Sequence, residues 1–472
     1  MAPRSSVGSP STRVIGLAGG RAGGETSPMF AVSTLSAAAV LVVVSARRRH
    51  GAFAVFLGVV LGIHLAAGIA VHARLVVWAD GEAAWVRPVV ELGYAWGAAA
   101  CISMFAAMVG APRLRGSVWR AMIVAPGAAW SAGTLLAVPW LAVSGLAQMA
   151  VAVPTLGWVT YGLALTGLWT SWVPRREVVR ISLDPQASSG PTVQRVRVTR
   201  ARVIRLPSEA VPGVLRVVQI TDPHLGAFRS EASFRALCTR VVDVDPDLVL
   251  LTGDYFTMEG AGTPDALGRA LAPLRALQGR TFACLGNHDH ESPAAVARGL
   301  AEAGVELLVD RAVLVQTRRG PVQIVGLDHR WTRARPPQAL VPGPQEGPGA
   351  HASVLAAWPR PAGVPRIVLL HDPSAFKHLP EGEADLVLSG HTHGGHVGLV
   401  SLGLDWTVIG GLSGMPDHGA WSRGRDRLYV HRASGHYGFP LRLGVPMEES
   451  VLEVLHPAFT RHDDESSVAA TG

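Results

Sequence analysis

Closely spaced apolar segments in the first third of the chain constrain its fold more than any other feature. Five runs approach the roughly 20 residues that a helix needs to cross a bilayer, and short charged connectors separate them. They lie at about 29–46, 52–78, 89–110, 122–143 and 147–172. Because the runs are apolar on every side, they predict a bundle of about five transmembrane helices rather than the core of a soluble helical domain.

Basic residues concentrate in alternate connectors of this region. They are Arg47, Arg48, Arg49, Arg113, Arg115, Arg120, Arg175, Arg176 and Arg180. The positive-inside rule assigns such connectors to the cytoplasm. We therefore expect a multi-pass protein of the cell membrane, with its N-terminus outside and everything after residue 173 in the cytoplasm. An extra or a missing span would place the part after residue 173 on the opposite side of the membrane.

Composition divides the rest of the chain into further regions. Residues 1–28 and 457–472 are polar and are predicted to be disordered tails. The transmembrane region covers 29–172, a linker with leading strands covers 173–212, and an α/β domain covers 213–456.

Charge and cysteine usage exclude some classes of function. The net charge is +7, but no dense basic block lies in the part after the apolar runs, so no nucleic-acid partner is expected. The chain has three cysteines, Cys101, Cys238 and Cys284, which are scattered too widely for a disulfide framework or a Cys-x-x-Cys metal motif.

The α/β domain is indicated by short apolar runs that alternate with amphipathic helices. Such runs are typical of strands buried between helices. We predict strands at 215–220, 247–251, 281–285, 313–316, 322–325, 367–370, 386–388, 428–430 and 451–455, and helices at 234–242, 266–277 and 293–303. Catalytic and ligand-binding groups of such domains lie just beyond strand ends.

Polar side chains follow five of these strands. They are Asp222 and His224, then Asp254, then Asn287, His288 and Asp289, then His371, and finally His391 and His393. Singly, each is compatible with an ordinary turn, and the Gly-His-Thr-His stretch at 390–393 is compatible with a hydrogen-bonded histidine turn. Asp372 is expected to cap the following helix rather than to bind a ligand. Together, buried groups of this kind would cost much desolvation energy unless metal ions compensated them.

The order Asp-x-His, Gly-Asp, Gly-Asn-His-Asp, His and Gly-His-Thr-His resembles the calcineurin-like metallophosphoesterase superfamily. The Gly-His-Thr-His-Gly-Gly stretch at 390–395, the apolar N-terminal region and the closing segment 439–444 are similar to its membrane-associated bacterial branch, which includes UDP-diacylglucosamine pyrophosphohydrolase-like phosphodiesterases. The resemblance covers about 213–455. It implies a four-layer α/β/β/α sandwich after the transmembrane bundle.

The resemblance also implies roles for the polar residues. The first metal ion would be held by Asp222, His224 and His393, and the second by Asn287, His371 and His391. Asp254 would bridge the two ions. His288 would lie beside the scissile phosphate without binding metal, and Asp289 would orient or tune it.

Two histidines depart from the pattern of this branch. His290 stands where an aromatic residue is common, and His396 stands where Gln is common. Each is open to two interpretations, namely a contact with the substrate or a solvated loop position.

The donor set has oxygen and nitrogen atoms and no thiolate, which suits two divalent ions of Mn, Fe or Zn. Two such ions can share a hydroxide and bind the phosphoryl oxygens. The sequence therefore predicts a membrane-anchored phosphoesterase acting on a phosphomonoester or phosphodiester. A lipid-linked substrate is attractive because the anchor keeps the domain at the membrane.

Two other functions stay open. One is a catalytically silent membrane receptor or scaffold that keeps the fold. The other is a transporter with a regulatory phosphoesterase domain, which would need paired charges inside the apolar spans.

Overall fold

The computed structural model describes residues 28–48, 51–146, 153–183, 190–330, 350–438 and 441–460. The predicted tails, apart from Pro28 and 457–460, lie outside these residues, as does a stretch rich in Pro and Gly at 335–349. Six helices come before the first strand. They are α1 Pro28–Arg48, α2 Gly51–Ala79, α3 Val86–Val109, α4 Ser117–Trp119, α5 Ala125–Leu146 and α6 Val153–Thr170. A π-helical turn, Arg120–Val124, joins α4 to α5 without a break.

Four segments among the described residues are long and apolar enough to cross a membrane. They are Met29–Arg48, Gly51–Ala79, Val86–Val109 and Ser117–Val143. The predicted number of about five spans is therefore one too high by this measure. The fifth predicted span corresponds to α6, whose 18 residues extend only about 27 Å as a helix, slightly less than the roughly 30 Å hydrocarbon core.

The remaining chain forms two seven-stranded sheets. Their strands are β1 Arg175–Ser182, β2 Gln194–Arg195, β3 Thr199–Arg202, β4 Val214–Ile220, β5 Leu248–Thr252, β6 Thr281–Cys284, β7 Glu306–Leu307, β8 Arg311–Thr317, β9 Gly320–Leu327, β10 Arg366–Leu370, β11 Leu386–Ser389, β12 Gly419–Arg423, β13 Asp426–Val430 and β14 Glu448–Leu455. The first sheet has the order β3-β1-β14-β4-β5-β6-β7. The second has the order β2-β12-β13-β11-β10-β9-β8.

Six more α-helices are described in this part of the chain. They are α7 Glu231–Val244, α8 Met258–Ala261, α9 Ala266–Leu271, α10 Pro293–Glu302, α11 His351–Ala357 and α12 Val408–Ser413. One apolar core joins the first sheet to α7, α9 and α10, a second lies between the two sheets, and a third joins the second sheet to α11. The predicted four-layer α/β/β/α arrangement is confirmed.

The buried strands were predictable because they are mostly apolar. Each residue of β4, β5, β10 and β11 is buried, as the runs of Val and Leu indicate. Strands are present between 173 and 212, as predicted. β1 pairs with β14 in the first sheet, and β2 pairs with β12 in the second. The sequence analysis missed β7 and β12, which are short or polar.

The helical region contacts the α/β domain at two places. At the end of α6, the backbone N–H of Arg442 donates to Ser171 Oγ at 2.9 Å, and Leu441 packs against Gly167. In the connector between α3 and α4, the backbone N–H of Leu114 donates to Thr263 Oγ1 at 2.8 Å. The ends of α3 and α6 therefore lie on the same side of the helical region as the domain.

Candidate metal centre

The five polar strand ends meet at one edge of the two sheets. The strands β4, β5 and β6 run parallel in the first sheet, and β10 and β11 run parallel in the second. Because their carboxyl ends point the same way, the loops after them converge. All seven side chains predicted as metal ligands lie in these loops.

Two compact clusters of possible ligand atoms result. Asp222, His224 and His393 form the first, and Asp254, His371 and His391 form the second; within each, the donor atoms lie within 4.8 Å of one another. The first group has the three residues predicted for the first ion. The second has two of the three predicted for the second ion, His371 and His391, together with Asp254, the predicted bridge. In the first cluster, His393 Nε2 lies 3.5 Å from Asp222 Oδ1.

Asp254 lies between the clusters. Its Oδ2 is 3.6 Å from His224 Nε2 in the first cluster and 3.2 Å from His371 Nε2 in the second. Asn287 adjoins the second cluster, with Oδ1 at 3.0 Å from His391 Nδ1. These positions are the ones that a bridging carboxylate and an amide ligand would occupy.

Unusual backbone angles aim several of these side chains. Five of the seven have positive φ, with values of 47° for Asp222, 43° for His224, 58° for Asp254, 69° for His391 and 52° for His393. Non-glycine residues rarely adopt this region, and such strain is concentrated at functional sites. The strain indicates that the loops are built to position these groups.

Glycines let the loops approach one another. Gly390 packs so closely that a Cβ there would overlap Asp222 Oδ2 and Thr221 Oγ1. Gly253 has φ of 91° and faces the backbone of Gly286. The glycines of the motifs therefore serve close approach between loops rather than flexibility.

The electrostatics of the centre favour a cation. Burial raises the pKa of Asp222, but the hydrogen bond and charge of its histidine neighbours outweigh that effect and hold the pKa below its usual range. Burial opposes the charge on His371 and so lowers its pKa, but the negative charge of Asp254 outweighs this effect and raises the pKa of His371 to about 10. Burial lowers the pKa of His224 to about 3, so this imidazole stays neutral. The carboxylates are thus ionised and attract positive charge.

The ring nitrogens fit metal ligation. The Nδ1–H of His371 donates a hydrogen bond to the Thr252 carbonyl oxygen at 2.7 Å, which leaves Nε2 directed at the carboxylates. Among the described residues, neither ring nitrogen of the buried His224 has a hydrogen-bond partner. A buried imidazole without partners is costly, and ligation of a divalent cation would satisfy it.

His288 lies beside the clusters, and its partner differs from the predicted one. Its Nδ1 is 2.7 Å from Glu291 Oε1. The buried Asp289 instead accepts from the backbone N–H groups of Asp254, Tyr255 and Gly286 at 2.7, 2.8 and 2.7 Å. The orienting role predicted for Asp289 is therefore corrected: Glu291 orients His288.

Asp289 affects His288 only through its charge. Burial lowers the pKa of His288, but the hydrogen bond with Glu291 and the charges of Asp254, Glu291 and Asp289 raise it overall. The physical reason for the correction is helical spacing, since residues three apart in the 3₁₀ turn His288–Glu291 share a face.

Neither interpretation of His290 holds. It is buried, and its Nε2 lies 2.8 Å from Asp328 Oδ1, so it neither reaches a substrate nor faces solvent. His396 packs its ring on that of His393 at 4.9 Å. Asp372 caps the following turn by accepting from the Ser374 N–H at 2.8 Å, as predicted.

Three further residues of the site escaped the sequence analysis. The ring of Tyr437 stacks on His224 at 4.7 Å and meets His288 edge-on at 4.9 Å. His329 lies with its ring 6.4 Å from those of His371 and His391. Arg442 donates to the His393 carbonyl oxygen at 3.0 Å. Of these three residues, only Arg442 lies in a segment that the sequence singled out, the closing segment 439–444.

Comparison with known proteins agrees with this geometry. Residues 215–395 match the family model of calcineurin-like phosphoesterases. That stretch contains the seven predicted ligands and His288. This domain is a calcineurin-like phosphoesterase. It is therefore a metal-dependent phosphoric ester hydrolase, as the motifs predicted.

Relatives of this domain include one named as a phosphodiesterase, one named as a pyrophosphatase and one named as a transmembrane protein. Phosphodiesterase YaeI of Escherichia coli (strain K12) is 27% identical over 262 residues, covering 54% of this chain and 87% of the relative. UDP-2,3-diacylglucosamine pyrophosphatase LpxG of Chlamydia trachomatis is 26% identical over 265 residues, covering 47% and 78%. A transmembrane protein with metallophosphoesterase domain from Danio rerio is 25% identical over 256 residues, covering 51% and 54%.

Solved structures are more distant from this chain. The 5'-nucleotidase precursor from Thermus thermophilus is 17% identical with a TM-score of 0.30, and the match covers 54% of this chain and 58% of that chain. Phosphopantetheinyl hydrolase from Mycobacterium tuberculosis is 16% identical with a TM-score of 0.24, covering 38% and 84%.

Replacing Gly390 by Ala is expected to weaken metal binding. The added methyl group would displace Asp222, and changes that misalign a ligand cost roughly 10–100-fold in metal affinity. Metal content after dialysis, measured by mass spectrometry, tests this. The matched control is Gly190→Ala, where a Cβ would meet open space and metal content should not change. Equal metal content in both variants would contradict the assignment.

Replacing Glu291 by Ala is expected to lower kcat by roughly 10–100-fold while metal content stays constant, because His288 loses its orienting partner. Gln at this position should restore part of the rate, since its carbonyl oxygen still accepts from Nδ1. Steady-state kinetics with metal analysis tests this, with the exposed Glu209→Ala as control. A fall in metal content that tracks the fall in kcat would refute an orienting role.

Proposed function

We propose that the chain is a membrane-anchored phosphoesterase that hydrolyses a phosphomonoester or phosphodiester at a dinuclear metal centre. The observation that carries this proposal is the place of Asp254, whose Oδ2 lies within 3.6 Å of a histidine nitrogen in each of the two clusters. A carboxylate so placed between two sets of ligands is the usual bridge between paired cations.

The chain supplies distinct ligands for each cation. Asp222, His224 and His393 would hold the first, and Asn287, His371 and His391 the second. When bound, the two divalent cations supply Lewis acidity that activates water and neutralises the charge on the phosphoryl oxygens. The mixture of carboxylate, amide and imidazole donors suits Mn, Fe or Zn.

His288 would act on the leaving group. Its ring lies 5.4 Å from that of His224, beside the first cluster but outside both sets of ligands. Glu291 accepts from Nδ1, so Nε2 is the nitrogen that remains to donate a proton to the departing oxygen. Glu291 also stabilises the protonated imidazole by its charge.

A position at the bilayer surface is supported by an exposed apolar loop beside the site. Leu402 and Leu412 are 75% and 85% exposed, and Leu404 and Trp406 are more than half exposed. This loop follows His396 in the chain and is held to the segment that contacts the end of α6, since the N–H of Ser401 donates to Gly444 O at 2.8 Å. Exposed apolar patches of this kind are typical of membrane contact.

The cytoplasmic side is supported by the basic connectors. Arg113 and Arg115 flank Leu114, whose backbone N–H binds Thr263 of the catalytic domain, and Arg175 and Arg176 begin β1. The basic groups therefore lie on the same side as the domain, whatever the number of spans. By the positive-inside rule that side is the cytoplasm.

A lipid-linked substrate fits this location. One relative is named as a UDP-2,3-diacylglucosamine pyrophosphatase, and thus as an enzyme of a lipid-bearing substrate. A metal centre held at the membrane by the ends of α3 and α6 would meet substrates whose tails stay in the bilayer.

Replacing Asp254 by Ala is expected to abolish hydrolysis of a chromogenic phosphodiester in the presence of Mn²⁺, by on the order of 10³-fold or more. The reason is that both clusters lose their shared carboxylate. The control is Asp243→Ala, an exposed carboxylate on α7, which should keep the rate. Equal rates in the wild type and Asp254→Ala, or no hydrolysis and no bound metal in the wild type, would favour the silent scaffold.

A protease added outside sealed right-side-out vesicles is expected to leave a C-terminal tag intact, and detergent should make the tag cleavable. A tag cleaved without detergent would put the catalytic domain outside. A tag placed at the N-terminus reports the number of spans, because an odd number puts it on the opposite side from the C-terminal tag.

A further inference from the structure

A cavity of about 500 Å³ lies between the helical region and the phosphoesterase domain. Its volume falls in the roughly 300–1,000 Å³ range of small-molecule sites. The helices α2, α3 and α5 form one wall through residues such as Val60, Met104 and Ala128, and the domain forms the other through Phe228 and Tyr437.

One end of the cavity adjoins the metal centre. Tyr437 lines the cavity, and the same ring stacks on His224 and contacts His288. A molecule in the cavity therefore lies one aromatic ring away from the candidate ligands and the candidate proton donor.

The other end reaches the lipid-facing surface of the helices. Phe56 and Ile63 of α2 line the cavity and are 53% and 50% exposed on the outside of the helical region. The charged residues of the lining are Arg115 and Glu259. Both lie on the domain side, in the connector after α3 and in α8. Between the helices the lining is mostly apolar; its polar side chains His64 and Ser131 hydrogen-bond to each other at 2.7 Å.

We propose that this cavity binds the hydrocarbon chain of the substrate, so that the substrate class is a phosphoester of a lipid. The chain enters between the helices from the bilayer, and the phosphoryl group reaches the metal centre past Tyr437. The polarity gradient supports this occupant, since the cavity is apolar at the bilayer end and ends at a phosphate-binding centre. The inference rests on the proposed phosphoesterase activity and deepens it.

The first test is the dependence of kcat/KM on chain length. The full chain in phospholipid nanodiscs is assayed with p-nitrophenyl esters of ethyl, butyl and hexyl phosphate. We expect kcat/KM to rise by up to about four-fold for each added methylene, because burial of each methylene group favours binding. A flat series in the wild-type protein overturns the proposal.

Two neighbouring alanines of α3 give a matched pair of variants. Ala107 lines the cavity, whereas Ala106 is exposed on the outer face of the helix. Ala107→Phe fills the cavity and should reduce the hexyl-to-ethyl ratio of kcat/KM to near one, while Ala106→Phe should keep the wild-type ratio. An unchanged ratio in Ala107→Phe means that the chain binds elsewhere or only partitions into the bilayer, and this overturns the proposal.

A binding measurement separates this inference from the proposed function. Octyl phosphate and ethyl phosphate are compared as stabilisers against thermal unfolding. Octyl phosphate should raise the Tm of the wild type and of Ala106→Phe but not that of Ala107→Phe. This pattern in a protein that hydrolyses none of the esters supports the cavity and refutes the phosphoesterase. Hydrolysis of the ethyl ester with no effect of octyl phosphate on Tm refutes the cavity alone.

Discussion

The burial of two carboxylates, Asp222 and Asp254, among imidazoles is the interaction on which the site depends. Transfer of an ionised carboxylate out of water costs several kcal/mol even after relaxation, so each must be compensated nearby. The ion pairs that the structure describes for these two carboxylates are with histidines, namely His224, His371 and His393. Of these three, only His371 has a raised pKa, about 10; burial lowers the pKa of His224 and His393, and neutral imidazoles compensate a carboxylate poorly. One cationic imidazole leaves a deficit of positive charge that divalent cations would supply.

The geometry needed to keep these groups together is strained, and the sheets make the strain tolerable. Five of the candidate ligands have positive φ, each of which costs of order 1–3 kcal/mol for a residue other than glycine. Such angles persist only where the surroundings fix them. Each loop begins at the end of a buried strand, and Asp289 ties two of them together by accepting three backbone N–H groups.

Asp289 is therefore important for a reason other than the predicted one. It hydrogen-bonds the loop of Asp254 to the loop of Gly286, and so holds the carboxylate of Asp254, the candidate bridge, in place. Burial and the negative charge of Asp254 raise the pKa of Asp289 to about 7. A carboxylate in this role positions the metal ligands rather than the proton donor.

The sequence could predict that the candidate ligands meet, because they follow strands in a fixed relation. Short, mostly apolar runs mark β4, β5, β10 and β11, and parallel strands bring their ends together. It could not predict Tyr437 or His329, because their proximity to the site arises from the packing of distant loops. The pairing of His288 with Glu291 could have been predicted, since a spacing of three residues indicates a shared face of a helical turn. The adjacent Asp289 was assigned as the partner of His288 instead.

Arg442 contacts both the helical region and the candidate metal centre, so direct hydrogen bonds link the two. The backbone N–H of Arg442 donates to Ser171 at the end of α6, while its guanidinium donates to the carbonyl oxygens of His393 and Gly435. A buried arginine has lost its hydration, so breaking these bonds would leave its N–H groups without partners at a high cost in free energy. The position of the His393 loop relative to α6 is thus fixed by direct hydrogen bonds. A flexible tether would leave the two parts of the chain free to move apart, whereas this linkage holds the candidate metal centre at a set distance from the cavity between the helices.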